Sequence, residues 1–552
     1  MPVITFGYRD LTGLIGREVP VDVLLEMIPM MGADLHHYDS EKEEIAVEFF
    51  PERPDLYCVE GVARALRAFL GYEPGLKRYP VEESGITLYR DLSVESVRPY
   101  VVGGVVRDVE MSDPLIRSLM ELQEKIHLAL GRKRAKVSIG IHDMDRVVPP
   151  FTYKAVDPEE VSFVPLAKDE LMNLREILER HEKGVDYNFI LEGKKRYPII
   201  VDKNGDVLSF PPIINGQLTA VTENTKSMFI DVTGTDLQAI SGALNIVSTA
   251  LAERGARIQT ILVEGNERMI TPDLKPAKWS LNPAECNSLL GLDLDRGEMC
   301  RCLRKMGYGC DDDGGDIINV LAPATRLDIL HPVDLIEDVA KGYGYEQFGT
   351  QLPTVQTIGG ERLIEKAANL VREMMVGYGY FEVTTLTLSS QREQFDSART
   401  KEREVVEILN PISEDLTCLR VHLLPSLLGV LTKNKHRDLP QRIFEVGDVV
   451  IDTKRQKHLA AISIHSKASF TEMKSVVEGF LRDCSLRWEL SPAGLGMFVE
   501  GRDASVVVDG ENVGYFGEVH PETMTRFGLA HPAVAFELYL EKVLLGKLDR
   551  IV

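Results

Sequence analysis

No uninterrupted apolar run of about 18 residues occurs in this chain, so the sequence offers no helix able to span a bilayer. The opening MPVITFGYRDL lacks a charged start followed by an apolar stretch, which argues against an export leader. A cytoplasmic protein that neither spans nor binds a membrane is expected. Cysteine is scarce: seven residues, an odd number without repeated spacing, point to a reducing compartment and to no disulfides. Cys300, Cys302 and Cys310 cluster, but no second cysteine pair or histidine pair completes four zinc ligands. Positive charge is also short, with 63 basic against 85 acidic residues and a formal charge of -22. This excludes a protein that coats nucleic acid through a broad basic surface. Any RNA contact must come from local patches: Arg132, Lys133, Arg134 and Lys136; Lys194, Lys195 and Arg196; or Lys433, Lys435, His436 and Arg437. Internal repeats and low-complexity tracts are absent as well.

What remains is 552 residues, enough for three to five cores without disulfide or metal. The pattern is that of an α+β multidomain protein. Residues 1–85 read as an N-terminal α+β domain. Val21, Leu24, Leu25 and Ile28 give an apolar helix face that Gly32 ends; Ile45, Val47 and Phe49 alternate as a half-buried strand; Val59, Val62, Ala63 and Leu66 form another helix face. The polar stretch Gly75 to Gly85 marks a boundary. Residues 86–268 read as a second α+β domain, with the buried strand YVVGGVVRDV, a helix capped at Ser112 or Asp113, two strands around Asn204-Gly205 and a strand in SMFIDVTGTD. Residues 269–350 look smaller and helix-rich. From 351 to 552 a further α+β pattern follows, with a helix face of Leu363, Ala367, Leu370, Val371 and Met374 ahead of several strands.

Three segments carry possible chemistry. In PATRLDILHPVDLIEDVAKGYGYEQF, Pro332 starts a helix on which Asp334, Glu337 and Asp338 share one face, and Asp328 arrives just before. Such a group is either a solvated acidic first turn or a site for a hard cation, and all-oxygen ligands favour Mg²⁺. In LSFPPIING and FIDVTGTD, Ser209, Asn215, Asp231, Thr233 and Thr235 put hydroxyl, amide and carboxylate groups near strand ends, a set able to bind a polar ligand and a water. His142 could join them, although a lone histidine beside Asp143 more often serves structure. GLGMFVEGR, ending at Arg502, superficially has the look of a glycine-rich ATP motif, but it runs into a strand, turn and strand, so a hairpin is expected.

Taken together, FFPERPDLYCVEGVARAL, PATRLDILHPVDLIEDVAKGYGYEQF and NPISEDLTCLRVHLLPSLL with RIFEVGDVV resemble, in this order, the beta subunits of phenylalanyl-tRNA synthetases of the archaeal/eukaryotic type. The resemblance implies an α+β editing domain at 86–268, a magnesium-associated domain at 269–350 and an inactive class II synthetase-like antiparallel β core with helices at 351–552. It further implies an α2β2 complex whose alpha subunit binds ATP, phenylalanine and the acceptor end of tRNA(Phe). Asp328, Asp334, Glu337 and Asp338 match the family's magnesium ligands, and Ser209, Asp231 and Thr233 lie in the segments that build its editing pocket. Asp231 is the candidate for recognising the hydroxyl by which tyrosine differs from phenylalanine. The alternatives are a free-standing trans-editing aminoacyl-tRNA hydrolase, a scaffold without chemistry, and a ligase in its own right. Neither the oligonucleotide-binding module nor the anticodon-reading domain of the longer bacterial subunits fits this sequence.

Overall fold

The computed structural model describes residues 2–311, 314–350, 352 and 359–544. They form two compact units, Met1–Gln351 and Leu352–Val552. The expected domain edge at 351 lies outside the described residues.

The first unit begins with a three-stranded sheet in which Glu44–Phe49 lies between Val3–Gly7 and Ala33–Asp39. Helices Val21–Met30 and Val59–Phe69 accompany it, and Gly32, at φ 89°, supplies the left-handed turn that ends the first. These elements have no core of their own. Ile28, Val47 and Leu66 belong to the same apolar cluster as Leu119, Leu122 and Ile126 of helix Asp113–Leu128 and Ile240, Leu244 and Val247 of helix Leu237–Glu253. The latter helix is buried on almost every side because two layers close over it.

A ten-stranded sheet dominates this unit. Its path runs Ile214–Asn215, Val207–Phe210, Tyr197–Val201, Phe151–Val156, Val81–Arg90, Arg257–Glu264, Tyr100–Arg107, Met228–Gly234 and Val137–Asp143; Arg268–Thr271 pairs with Arg257–Glu264 off that path. The strand Val81–Arg90 therefore crosses the expected edge at 85, and Arg268–Thr271 crosses the one at 268. Gly85 sits at φ 73° where the register against Arg257–Glu264 slips, so the glycine that reads as a linker is a bulge inside a strand. The segment expected to be helix-rich holds helices Pro283–Leu290, Arg296–Lys305 and Pro332–Tyr343, but also an antiparallel sheet of Ala277–Leu281, Ile318–Ala322 and Gly309–Asp311. Strands of three to five residues are too short for alternation to reveal them. The absence of disulfides is likewise corrected: Cys300 and Cys310 are joined where helix Arg296–Lys305 turns back into strand Gly309–Asp311.

The second unit is built on a seven-stranded sheet ordered Phe381–Glu382, Gln441–Ile451, Lys454–Ile464, Ala533–Tyr539, Glu511–Val519, Phe498–Val508 and Glu489–Ser491, antiparallel except at its first pair. Strand Lys454–Ile464 is buried on both faces over most of its length. Leu459 and Ala461 pack toward helices Leu363–Gly377 and Phe470–Asp483, whereas Ala460 and Ile462 pack toward Leu424–Lys433. Arg502 stands in the hairpin of Phe498–Val508 with Glu511–Val519, paired to Glu518. No helix among the described residues is long and apolar enough to cross a membrane.

Candidate functional site

Asp231 and Thr233 stand two residues apart on strand Met228–Gly234, so both side chains leave the same face of the large sheet. The neighbouring edge strand Val137–Asp143 sets Gly140 opposite Asp231, with His142 two residues further along. The Asp231 carboxylate occupies the space a side chain at 140 would need: a Cβ there would lie 2.2 Å from Asp231 Oδ2 and 2.8 Å from His142 Nε2. Oδ2 bonds His142 Nε2 at 2.7 Å, and His142 Nδ1 meets Thr219 Oγ1 at 2.8 Å. Asp231 is 1% exposed and His142 fully buried. Among the described residues no partner engages Asp231 Oδ1.

Thr233 takes a different partner. The Arg98 guanidinium donates from Nε to Thr233 Oγ1 at 2.9 Å and from Nη2 to Thr233 O at 2.7 Å, while Nη1 reaches Ala135 O. Burial drives the Arg98 pKa down to about 10, with Tyr153 and Asp231 pulling it back upward. Thr235 lies beyond the strand end and is exposed.

Ser209 and Asn215 come from the opposite end of the sheet, where they face one another across a short antiparallel pair. Folding returns that end to the first. Asn215 Nδ2 donates to Ile141 O at 3.3 Å, next to His142, and Thr219 follows four residues later. Arg134 locks the approach by donating to Ile213 O at 2.9 Å while stacking on Tyr187, so this member of a basic patch is committed to structure rather than to RNA. Ser209 Oγ is buried without a hydrogen-bond partner. The structure thus joins Asp231 to His142 and Thr219, brings Asn215 alongside, and leaves Thr235 out.

The edge strand is itself protected. Helix Asp113–Leu128 sends Gln123 Nε2 to Ile139 O at 2.6 Å, and His127 Nε2 accepts from Ile139 N at 2.8 Å. Burial lowers the His127 pKa to about 4, which keeps the ring neutral and able to accept. Since Gly140 has no room for a methyl group, Gly140→Ala is expected to break the Asp231–His142 contact and to destabilise the first unit by roughly 1–3 kcal/mol, read from its urea unfolding midpoint.

Sequence reasoning named His142 as able to join this cluster while favouring a structural role for it, and did not reach Thr219 or Arg98. Only His142 left a trace, as a polar residue at i+2 from a glycine in an otherwise apolar strand. Arg98 and Thr219 lie in connecting segments without a signal.

The four expected magnesium ligands are otherwise engaged. Asp328 makes a bidentate pair with Arg326, at 2.8 and 2.6 Å, and the same guanidinium reaches Asp338 at 2.6 Å. Asp338 does not stay on the solvated face of its helix but is 1% exposed, bonded also by Tyr308. Burial opposes its ionisation, yet Arg326 and Lys341 hold its pKa below the ordinary carboxylate value. Asp334 accepts the backbone N–H groups of Leu330 and His331 at 2.8 Å each, and Glu337 pairs with Lys341. Among the described residues the only His, Cys, Asp or Glu trio with converging ligand atoms is Asp34, His36 and Glu48. As arranged, the four carboxylates are held by Arg326, Lys341 and backbone N–H groups, and their ligand atoms do not converge. Stripping divalent ions with EDTA is therefore expected to move the thermal midpoint of the chain by less than about 1 °C in differential scanning calorimetry.

Comparison with known proteins adds the context. Family models match in three places: "B3/4 domain" over 109–262, "tRNA synthetase B5 domain" over 279–345 and "Phenylalanyl tRNA synthetase beta chain CLM domain" over 349–540. The phenylalanine–tRNA ligase beta subunit of Methanothrix thermoacetophila is 48% identical over 541 residues, covering 98% of this chain and 100% of that protein. That of Archaeoglobus fulgidus is 45% identical, covering 98% of each. A crystal structure of an N-terminal fragment of the phenylalanyl-tRNA synthetase beta subunit from Pyrococcus horikoshii is similar with a TM-score of 0.60 at 38% identity, over 62% of this chain and 99% of the fragment.

Proposed function

Because this chain belongs to the phenylalanyl-tRNA synthetase beta-subunit family, we propose that it supports ATP-dependent charging of tRNA(Phe) by a separate alpha subunit in an α2β2 complex, and that it hydrolyses tyrosyl-tRNA(Phe) around Asp231. The observation that carries the second half is the half-engaged carboxylate. Asp231 Oδ2 is held by His142 while Oδ1 has no partner among the described residues, in a place almost without solvent. A buried acceptor of this kind favours a phenol over a phenyl ring, because phenylalanine would leave it unpaired. His142 and Thr219 fix the direction of the carboxylate. No activated serine or cysteine nucleophile stands in the cluster, so the ester is cleaved by a positioned water, assisted by the terminal hydroxyls of the tRNA.

Synthesis belongs to the alpha subunit in this reading. The second unit's buried arginine among the described residues, Arg420, is 2% exposed and bonds through each of its three nitrogens, to Asp448 O, Thr385 and Glu445, which ties it into the core rather than turning it toward a nucleotide phosphate. ATP and its magnesium are accordingly assigned to the partner.

Co-expression with an alpha subunit, size-exclusion chromatography and tyrosine release from tyrosyl-tRNA(Phe) test both halves together. A stable complex that deacylates is expected. A complex without deacylation would reduce the chain to a scaffold, and a chain that deacylates while ignoring the alpha subunit would make it a free-standing hydrolase. ATP–pyrophosphate exchange by this chain alone is expected to be absent.

A further inference from the structure

Arg98 stands apart from the other buried arginines. Arg53, Arg67, Arg134, Arg326 and Arg420 each hold a carboxylate: Asp55, Glu253, Glu124, Asp328 and Glu445. Arg98 is 2% exposed, yet its three nitrogens donate to neutral oxygens only, Thr233 Oγ1, Thr233 O and Ala135 O. Among the described residues no carboxylate pairs with it directly. A charge taken out of water is costly unless a countercharge answers it, and hydrogen bonds to neutral groups do not supply one.

The countercharge lies one step away. Two groups of acid character act on the Arg98 guanidinium, Tyr153 and Asp231. Burial raises the Tyr153 pKa above its ordinary value, so the phenol is neutral and Asp231 is left as the negative charge. Asp231 and Thr233 leave the same face of strand Met228–Gly234, roughly 6–7 Å apart along it, and Arg98 lies against Thr233. Thr233 is fully buried, and at that depth water screens the attraction poorly.

The spacing has a chemical consequence. A guanidinium in contact with a carboxylate takes both oxygens, as Arg326 does with Asp328. Arg98, held off by Thr233, answers the charge of Asp231 while His142 takes Oδ2 alone.

We propose that Arg98 is a positioning residue for the reaction at Asp231: held by Thr233, it places a buried positive charge that keeps Asp231 a carboxylate without occupying Oδ1, which stays open to the phenol of the tyrosyl ester. This rests on the reading of Asp231 given above.

Two variants of the assembled complex separate charge from structure. Arg98→Gln keeps a hydrogen-bond donor and loses the charge; Arg98→Lys keeps the charge and gives up the fork that grips Thr233 and Ala135 O. Both are expected to lower the thermal midpoint. Arg98→Gln is expected to slow tyrosyl-tRNA(Phe) deacylation at least tenfold and to lower the preference for tyrosyl over phenylalanyl esters by a similar factor, whereas Arg98→Lys restores the preference and most of the rate. A purely structural arginine predicts the opposite order, because lysine cannot rebuild the fork. Deacylation by Arg98→Lys as slow as that of Asp231→Ala would overturn the proposal even if Arg98→Gln failed to fold, and so would an unchanged ester preference in Arg98→Gln. If Asp231→Ala itself leaves deacylation intact, the reading of the site fails first; if Asp231 proves essential and Arg98→Gln is silent, only the role of Arg98 falls.

Discussion

Asp231→Ala is expected to slow tyrosyl-tRNA(Phe) deacylation by the assembled complex by about 100-fold or more, while phenylalanyl-tRNA synthesis continues at its normal rate. The size follows from burial. A polar site built to pair a substrate hydroxyl loses on the order of 3 kcal/mol of transition-state binding when its acceptor is removed. The carboxylate also orients His142, whose Nε2 it engages at 2.7 Å, so truncation leaves a buried ring nitrogen unpaired as well. Asp231→Asn separates these effects. The amide keeps the shape and an acceptor oxygen but loses the charge, so it should retain more thermal stability than the alanine variant while still discriminating poorly between tyrosyl and phenylalanyl esters. Deacylation unchanged in Asp231→Ala, with the complex intact by size-exclusion chromatography, would remove Asp231 from the site.

The largest stability effect is expected at Glu537. Helix Leu424–Lys433 begins without a capping side chain of its own, because Leu423 stands at that position. Glu537, fully buried on strand Ala533–Tyr539, does the capping from across the sheet. Its two oxygens accept from Leu423 N, Leu424 N and Tyr515 Oη, and Oε1 meets His458 Nδ1 at 2.7 Å. Burial opposes the charge, but the hydrogen bond and charge of His458, aided by His422 and the Leu423 amide, bring the pKa down from 4.5 to about 2.

A carboxyl more acidic in the folded state than in the unfolded chain stabilises the fold fully above pH 4.5. That contribution, on the order of 3 kcal/mol, fades as pH falls from about 4.5 to about 2. Glu537→Ala is expected to destabilise the second unit by roughly 3–5 kcal/mol at neutral pH, since it strands buried amides, a phenol and an imidazole. Glu537→Gln is expected to cost less and to flatten the acid limb of stability between those pH values. Guanidinium unfolding at pH 7 and at pH 3 measures both. An acid limb as steep in the glutamine variant as in the parent would show that other carboxylates control it.

Much of this architecture was legible beforehand for a local reason. The apolar start of SMFIDVTGTD marked the strand that carries Asp231 and Thr233, and the 3.6-residue period found the helices at Asp113–Leu128 and Leu363–Gly377. Where the local signal misled, tertiary context had taken over: Gly85 reads as a linker but serves as a bulge, and the polar stretch around it conceals a strand at the centre of the largest sheet.

The charges divide in the same way. Spacing along helix Pro332–Tyr343 determined that Asp334, Glu337 and Asp338 would lie close together, but not that Asp338 would turn into the core toward Arg326, twelve residues away in sequence. Composition and motif order determined the family, the α+β character and the stretch of chain in which the Asp231 cluster lies. Only the tertiary structure decided that Asp231 would meet His142, 89 residues distant, and that Asn215 and Thr219 would return to that edge. Periodicity records whether a side chain is buried, because burial depends on the face it occupies. Its partner depends on which strands lie side by side, and strand order is set by long-range packing that no local pattern carries.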